Sequence, residues 1–237
     1  MPRAASGKPA QARAASDASV LRFSTGQLLR HAVEQAGERT ALIEPAGADG
    51  KPERRWSYRD LQVTAEAVAC RLLAQFSPGD RLASWAASSP EMLFLQLGAG
   101  LAGMPLVTLN PANRALELGY MLAQTGVRGL FYDASFRGLD NELVLDELRA
   151  RLPQLELSVR MDRWADFLAA AQPRSLPEVA PDSPALILFT SGSTGKPKAA
   201  VLSHGGVINN AALTARHLGV ARGETWLNVL PMFHIGG

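Results

Sequence analysis

Ala185-Leu186-Ile187-Leu188-Phe189-Thr190-Ser191-Gly192-Ser193-Thr194-Gly195-Lys196-Pro197-Lys198-Ala199-Ala200-Val201-Leu202-Ser203-His204 is the stretch on which the reading of this chain turns. It opens with a short aliphatic run, Ala185 to Phe189, bounded by Pro184 and a turn signal, which reads as a buried strand. Six residues follow, Thr190 to Gly195, with no side chain larger than threonine. Lys196 and Lys198 then flank Pro197, and a second apolar piece, Ala199 to Leu202, leads to Ser203 and His204. A bare, glycine-containing turn after a strand lets several backbone N–H groups face one concavity, which suits an anion. The hydroxyls of Thr190, Ser191, Ser193 and Thr194 add donors without bulk, Gly192 and Gly195 permit positive φ and close approach, and a lysine adds a point charge. Hydrogen bonds to an ionised group contribute about 1.5–3 kcal/mol each, so a few of them would hold a polyphosphate.

The Walker-type phosphate loop requires glycine, four residues, then Gly-Lys-Ser/Thr. Here Thr190 stands at the first glycine and Pro197 follows Gly195-Lys196, so the pattern fails. Pro197 is also poorly placed in the helix that such a loop feeds. The plain alternative is a surface loop of Ser, Gly and Lys. The order of residues is more specific than their composition. Phe189 to Lys198 resembles the phosphate-binding signature of the adenylate-forming superfamily, which includes acyl-CoA synthetases, firefly-type luciferases and the adenylation domains of nonribosomal peptide synthetases. One departure is Ala199, where that signature usually has glycine.

The rest of the chain reads as alternating helices and strands. Leu28, Leu29, Ala32, Val33 and Ala36 recur at helical spacing, with Gly37 at the expected C-cap. Strands are expected at Ala41 to Ile43, Glu53 to Tyr58, Arg81 to Ala86, Pro105 to Leu109, Leu130 to Tyr132 and Leu155 to Val159. Ser57 can cap a helix whose face is Leu61, Ala65, Val68, Leu72 and Phe76, and Ser89-Pro90 is a helix entry. A helix carrying Ala115, Leu118, Met121 and Leu122 ends at Gly126. Another spans Leu139 to Leu152, and Pro173 to Pro184, with its four prolines, is a surface connection. After the loop, a helix from His204 to Leu218 and a strand from Thr225 to Val229 are expected. This alternation predicts an α/β fold of layered, mainly parallel sheets flanked by helices, with ligands beyond the carboxyl ends of the strands.

Composition sets bounds. A 237-residue chain with 47% hydrophobic and 19% charged residues is ordinary for a globular protein. It is large enough to bury roughly 70–75% of its unfolded surface. A net charge of +2 without basic runs gives no reason to expect a nucleic-acid partner. The single cysteine, Cys70, excludes an internal disulfide and fits a reducing compartment, so the cytoplasm is the expected location. Residues 1–19, rich in Ala, Ser and Arg, read as a disordered leader before a domain from residue 20 to 237. No stretch is apolar for the length a membrane span needs; Met92 to Val107 contains Gln96, three glycines and Pro105. No His and Cys spacing suggests a metal site. His31, His204 and His217 read as structural or solvated.

Other pieces are similar to the same superfamily: Trp56 to Leu61, Leu109-Asn110-Pro111, Glu117 to Leu122, and the Pro231-Met232-Phe233-His234 run near the end. The resemblance implies the N-terminal part of an acyl-CoA synthetase (a ligase of fatty or aromatic acids), with the C-terminal part of the same enzyme as the missing partner. It implies ATP, magnesium and coenzyme A. Thr190, Ser191, Gly192, Ser193, Thr194, Gly195 and Lys198 would hold the phosphates, with Thr190 also on the metal. Phe233 and His234 would line the acyl pocket, His234 close to the reacting carboxylate or phosphate. A Tyr-Gly-x-Thr-Glu stretch, a ribose-binding aspartate and a domain with a catalytic lysine, which relatives carry further on, do not occur in these residues, so residues 1–237 alone are expected to be inactive. An amino-acid adenylation domain and a non-catalytic nucleotide-binding module are the alternatives.

Overall fold

The computed structural model describes residues 20–47, 50–190 and 197–236. The expected leader and loop residues Ser191, Gly192, Ser193, Thr194 and Gly195 lie outside them. Helix α1 (Thr25–Ala36) is followed by an antiparallel pair, β1 (Thr40–Glu44) and β2 (Arg54–Ser57). Then come α2 (Tyr58–Leu73), β3 (Leu82–Trp85), α3 (Pro90–Leu101), β4 (Leu106–Thr108), α4 (Ala115–Thr125) and β5 (Gly129–Tyr132). A small hairpin, β6 (Ser135–Phe136) and β7 (Leu139–Asp140), precedes α5 (Asn141–Arg149), β8 (Leu157–Arg160) and α6 (Trp164–Ala169). The described chain closes with β9 (Pro184–Thr190), β10 (Lys198–Ser203), α7 (His204–His217) and an irregular segment.

The local chemistry explains most of these boundaries. Ser57 starts α2 with a reciprocal capping box: its hydroxyl takes the Asp60 N–H while the Asp60 carboxylate takes the Ser57 N–H. Ser89 caps α3 ahead of Pro90, where a missing N–H costs nothing. Gly126 ends α4 at φ 59°, a left-handed position that glycine adopts freely. Gly37 is the C-cap of α1, as expected, in a right-handed conformation (φ −49°), and an added Cβ there would lie 2.9 Å from the Val33 carbonyl oxygen.

Six strands form the main sheet in the order β10-β9-β4-β3-β5-β8. Every neighbouring pair is parallel except β9–β10, which is an antiparallel hairpin. The mainly parallel α/β expectation is met. The chain steps from β3 outward to β4, then back across β3 to β5. Right-handed crossovers therefore put α3 and α4 on opposite faces. Alternate strand residues feed two apolar layers. Leu82, Leu106, Phe131 and Leu186 pack with Leu61, Val68, Leu72, Phe94 and Leu95 of α2 and α3. Ala83, Trp85, Val107, Leu130 and Ile187 pack with Leu118, Leu122, Leu145 and Leu148 of α4 and α5. Fully burying side chains of this size contributes about 1.5–3 kcal/mol each.

The strand expected at Thr225 to Val229 does not form. Trp226, Leu227 and Val229 are 62%, 77% and 77% exposed. A strand is defined by its neighbour, and among the described residues none pairs with this segment.

Candidate functional site

Successive connections leave β3 on opposite sides, to β4 and then to β5, and the carboxyl ends of the strands at such a switch point are the usual ligand position in open α/β sheets. Three pieces of chain meet at that end. The first is the hairpin of β9 and β10. Thr190 pairs with Lys198 across it, and the Thr190 hydroxyl donates to the Lys198 carbonyl at 3.4 Å. That pair closes the neck of the loop. Both side chains are exposed, and among the described residues Lys198 forms no ion pair. An uncommitted lysine at the mouth of a loop is free to meet an anion.

The second piece is the turn Pro231 to His234. The Thr108 hydroxyl, at the carboxyl end of β4, donates to the Phe233 carbonyl at 3.1 Å. The Met232 N–H donates to the Ser88 hydroxyl, just beyond β3, at 2.9 Å. The turn is thus strapped across the ends of two adjacent strands. Because β4 pairs directly with β9, with Thr108 opposite Leu188, the strap lies one strand over from the loop's entrance. The structure therefore brings Thr190, Lys198, Phe233 and His234 to one end of the sheet. Phe233 is half-buried and His234 exposed. Nδ1 of His234 takes the Gly236 N–H at 3.3 Å, which leaves the proton of the neutral ring on Nε2.

The third piece is α4, whose Tyr120 hydroxyl donates to the Pro197 carbonyl at 3.4 Å. On the far side of β3, Asp133 follows β5 and takes the Ala87 N–H at 2.7 Å. Burial pushes its carboxyl above the usual range, and Asp162 adds to the shift against the opposing Ala87 bond.

His204 is structural, as expected, and buried rather than solvated. Its Nδ1 lies 2.7 Å from the Thr25 hydroxyl and takes the Thr25 N–H at 3.3 Å. Burial pushes its pKa below the ordinary 6.5. Next to it, Asn209 of α7 exchanges two hydrogen bonds with the Leu21 backbone, fixing the start of the described chain to α7. Ser88, Thr108 and the Tyr120 contact were not anticipated; their partners lie 144, 125 and 77 residues away. A groove of about 490 Å³ beside Arg81, Pro105, Pro184 and Val201 opens at the amino ends of the strands and is separate from this site. Among the described residues no cluster of three or more His, Cys, Asp or Glu could hold a metal.

A family profile described as AMP-binding enzyme matches residues 29–237. The chain belongs to the AMP-binding enzyme family. It is 28% identical over 228 residues to the mitochondrial medium-chain acyl-CoA ligase ACSF2 of Macaca fascicularis, a match covering 84% of this chain and 36% of the relative. A Mycobacterium tuberculosis protein, 3-[(3aS,4S,7aS)-7a-methyl-1,5-dioxo-octahydro-1H-inden-4-yl]propanoyl:CoA ligase, is 30% identical over 215 residues, covering 85% of this chain and 41% of that protein. The inhibitor-bound N-terminal domain of FACL13 from Mycobacterium tuberculosis superposes with a TM-score of 0.79 at 28% identity, over 89% of this chain and 52% of that one. The chain thus spans well under half the length of the two curated relatives, and its relatives are acyl-CoA ligases. No described helix is long and apolar enough to cross a membrane.

Proposed function

We propose that this chain is the part of an acid–thiol ligase that grips the triphosphate of ATP and presents one wall of the acyl pocket. The observation that carries the reading is the convergence of a closed hairpin neck, Thr190 with Lys198, and a strapped Phe233–His234 turn at the carboxyl ends of adjacent strands. In the first half-reaction a carboxylate oxygen bonds to the α-phosphorus of ATP. The bond to the pyrophosphate oxygen breaks, and pyrophosphate leaves with the electron pair. In the second, a thiolate, that of coenzyme A, bonds to the acyl carbon, and AMP leaves with the electrons of the acyl–oxygen bond.

Charge on the departing pyrophosphate has to be neutralised and the attack held in line, so positioning and electrostatics are the means. Lys198 supplies a positive charge at the neck. The hydroxyls and amides of Thr190, Ser191, Gly192, Ser193, Thr194 and Gly195 supply donors. Nε2–H of His234 donates to a carboxylate or phosphate oxygen, and the Phe233 ring excludes water beside it. Magnesium, when bound, offsets phosphate charge. The exposed hydroxyl of Thr190 would be its protein contact, and the ion would supply positive charge beside the phosphates. An apolar acid, fatty or aromatic, suits the Phe233 wall, and the Macaca fascicularis relative is a medium-chain acyl-CoA ligase.

The C-terminal remainder of such an enzyme is the partner. Residues 1–237 without that remainder form no thioester. A cytoplasmic setting suits the lone buried thiol of Cys70. ATP–pyrophosphate exchange by the complete enzyme with a panel of acids tests the reading. Exchange with fatty or aromatic acids is expected. Exchange with amino acids alone would make it an amino-acid adenylation enzyme, and nucleotide binding without any exchange would make it a non-catalytic module.

A further inference from the structure

We infer that Tyr120 is a positioning residue for the phosphate loop, holding the loop's exit so that Lys198 leaves it in one direction; this rests on the proposed function. Pro197 sits between Lys196 and Lys198, and as a proline it has no N–H and a φ fixed by its ring. Its carbonyl is therefore the one backbone handle at that position, and the direction of that carbonyl is set by ψ, the remaining soft torsion. The Tyr120 hydroxyl takes hold of it at 3.4 Å. The next carbonyl along, that of Lys198, is held at 3.4 Å by the Thr190 hydroxyl from β9. Two consecutive carbonyls are thus held from two different elements, one a strand of the hairpin and the other a helix of the layer behind it.

The helix makes a firm anchor. Leu118, Met121 and Leu122 of α4 are buried. Gly119 lets α5 approach so closely that a Cβ there would lie 2.8 Å from Leu148 Cδ2. The Tyr120 ring, half-buried, packs against the same apolar layer as Phe189, which pairs with Ala199. The ring is fixed by packing, and the hydroxyl is its only polar reach toward the loop. No charge is involved, so the effect is one of geometry at Lys198 rather than of direct attraction to phosphate.

Tyr120→Phe keeps the ring and removes the hydroxyl. Two measurements on the 237-residue chain decide the matter: amide exchange without ligand, and calorimetric titration with magnesium tripolyphosphate. In the variant, exchange at whichever of Lys198 and Ala199 turns its N–H toward β9 should rise about 2- to 10-fold, the range for one hydrogen bond, while Leu82 to Trp85 and the melting temperature stay unchanged. Tripolyphosphate affinity should fall by a similar factor. Unchanged exchange at Lys198 and Ala199 overturns the inference, as does a rise accompanied by a general loss of stability. Failure of the unaltered chain to bind tripolyphosphate sinks the phosphate reading itself and with it any role for Tyr120 in ligand binding.

Discussion

Replacing Thr108 by valine tests how the Phe233–His234 turn is held. Thr108 is 3% exposed and spends its hydroxyl on the Phe233 carbonyl. Valine keeps the β-branched shape that suits strand β4 and fills nearly the same space, so the change removes one hydrogen bond and little else. A net intramolecular hydrogen bond contributes about 0.5–1.5 kcal/mol. The Phe233 carbonyl is half-buried, so water replaces the lost donor only in part, and the middle of that range, about 1 kcal/mol, applies. At 25 °C this corresponds to about a fivefold change in the opening equilibrium of the turn. The turn has a second tether, Met232 N–H to Ser88, so it should loosen rather than detach. Hydrogen exchange read at Met232 and His234 is the assay, because the N–H groups of both are bonded within the strap or the turn. Both should exchange about fivefold faster in Thr108→Val, and Ser88→Ala should add to the effect at Met232. Equal exchange rates in Thr108→Val and the parent, with β4 intact, would show that the turn is not strapped to the sheet as described.

Gly98→Ala should destabilise the whole domain: the new Cβ would lie 2.4 Å from Val68 Cγ1 and 2.5 Å from Val68 Cβ. A side-chain rotation cannot move Cβ away, so α2 and α3 must separate. Overpacking of this kind costs about 1–3 kcal/mol, offset by up to about 1 kcal/mol of helix propensity. The net loss should lower the melting temperature by several degrees; an unchanged midpoint would contradict the close approach. His204 predicts an acid-side weakness. Its folded pKa is lowered by burial from the ordinary 6.5, so the unfolded chain binds the proton first. Its contribution is fully present above pH 6.5 and declines as pH falls below that value toward the lowered folded pKa. Asp133, with its raised carboxyl, contributes with the opposite sign, its share being lost as pH rises through the folded pKa. Comparison of urea midpoints across pH for the parent and His204→Gln isolates the first effect, and parallel curves for the two proteins would refute it.

Elements whose ends are set by their own residues were legible in the sequence. Ser57 and Ser89 announce α2 and α3, Gly126 closes α4, and the aliphatic run before Thr190 is a central strand. These rest on local chemistry, and local chemistry survives folding. Thr225 to Val229 has the look of a strand, but pairing is supplied by a neighbour and not by alternation. The burial of His204 was hidden for a similar reason: its cover comes from Thr25, 179 residues away. The same applies at the site. Thr190, Lys198, Phe233 and His234 were marked by a dense pattern of residues, whereas Ser88, Thr108 and Tyr120 act on them through single hydroxyls from distant elements and leave no pattern of their own.

Calorimetric titration of residues 1–237 with magnesium ATP is the most direct test of the central claim. The account predicts binding that falls about 10- to 150-fold in Lys198→Ala, the range for one hydrogen bond to a charged group, and that disappears in Gly192→Val. Equal affinity in the parent and both variants would mean that the turn between β9 and β10 does not hold a triphosphate.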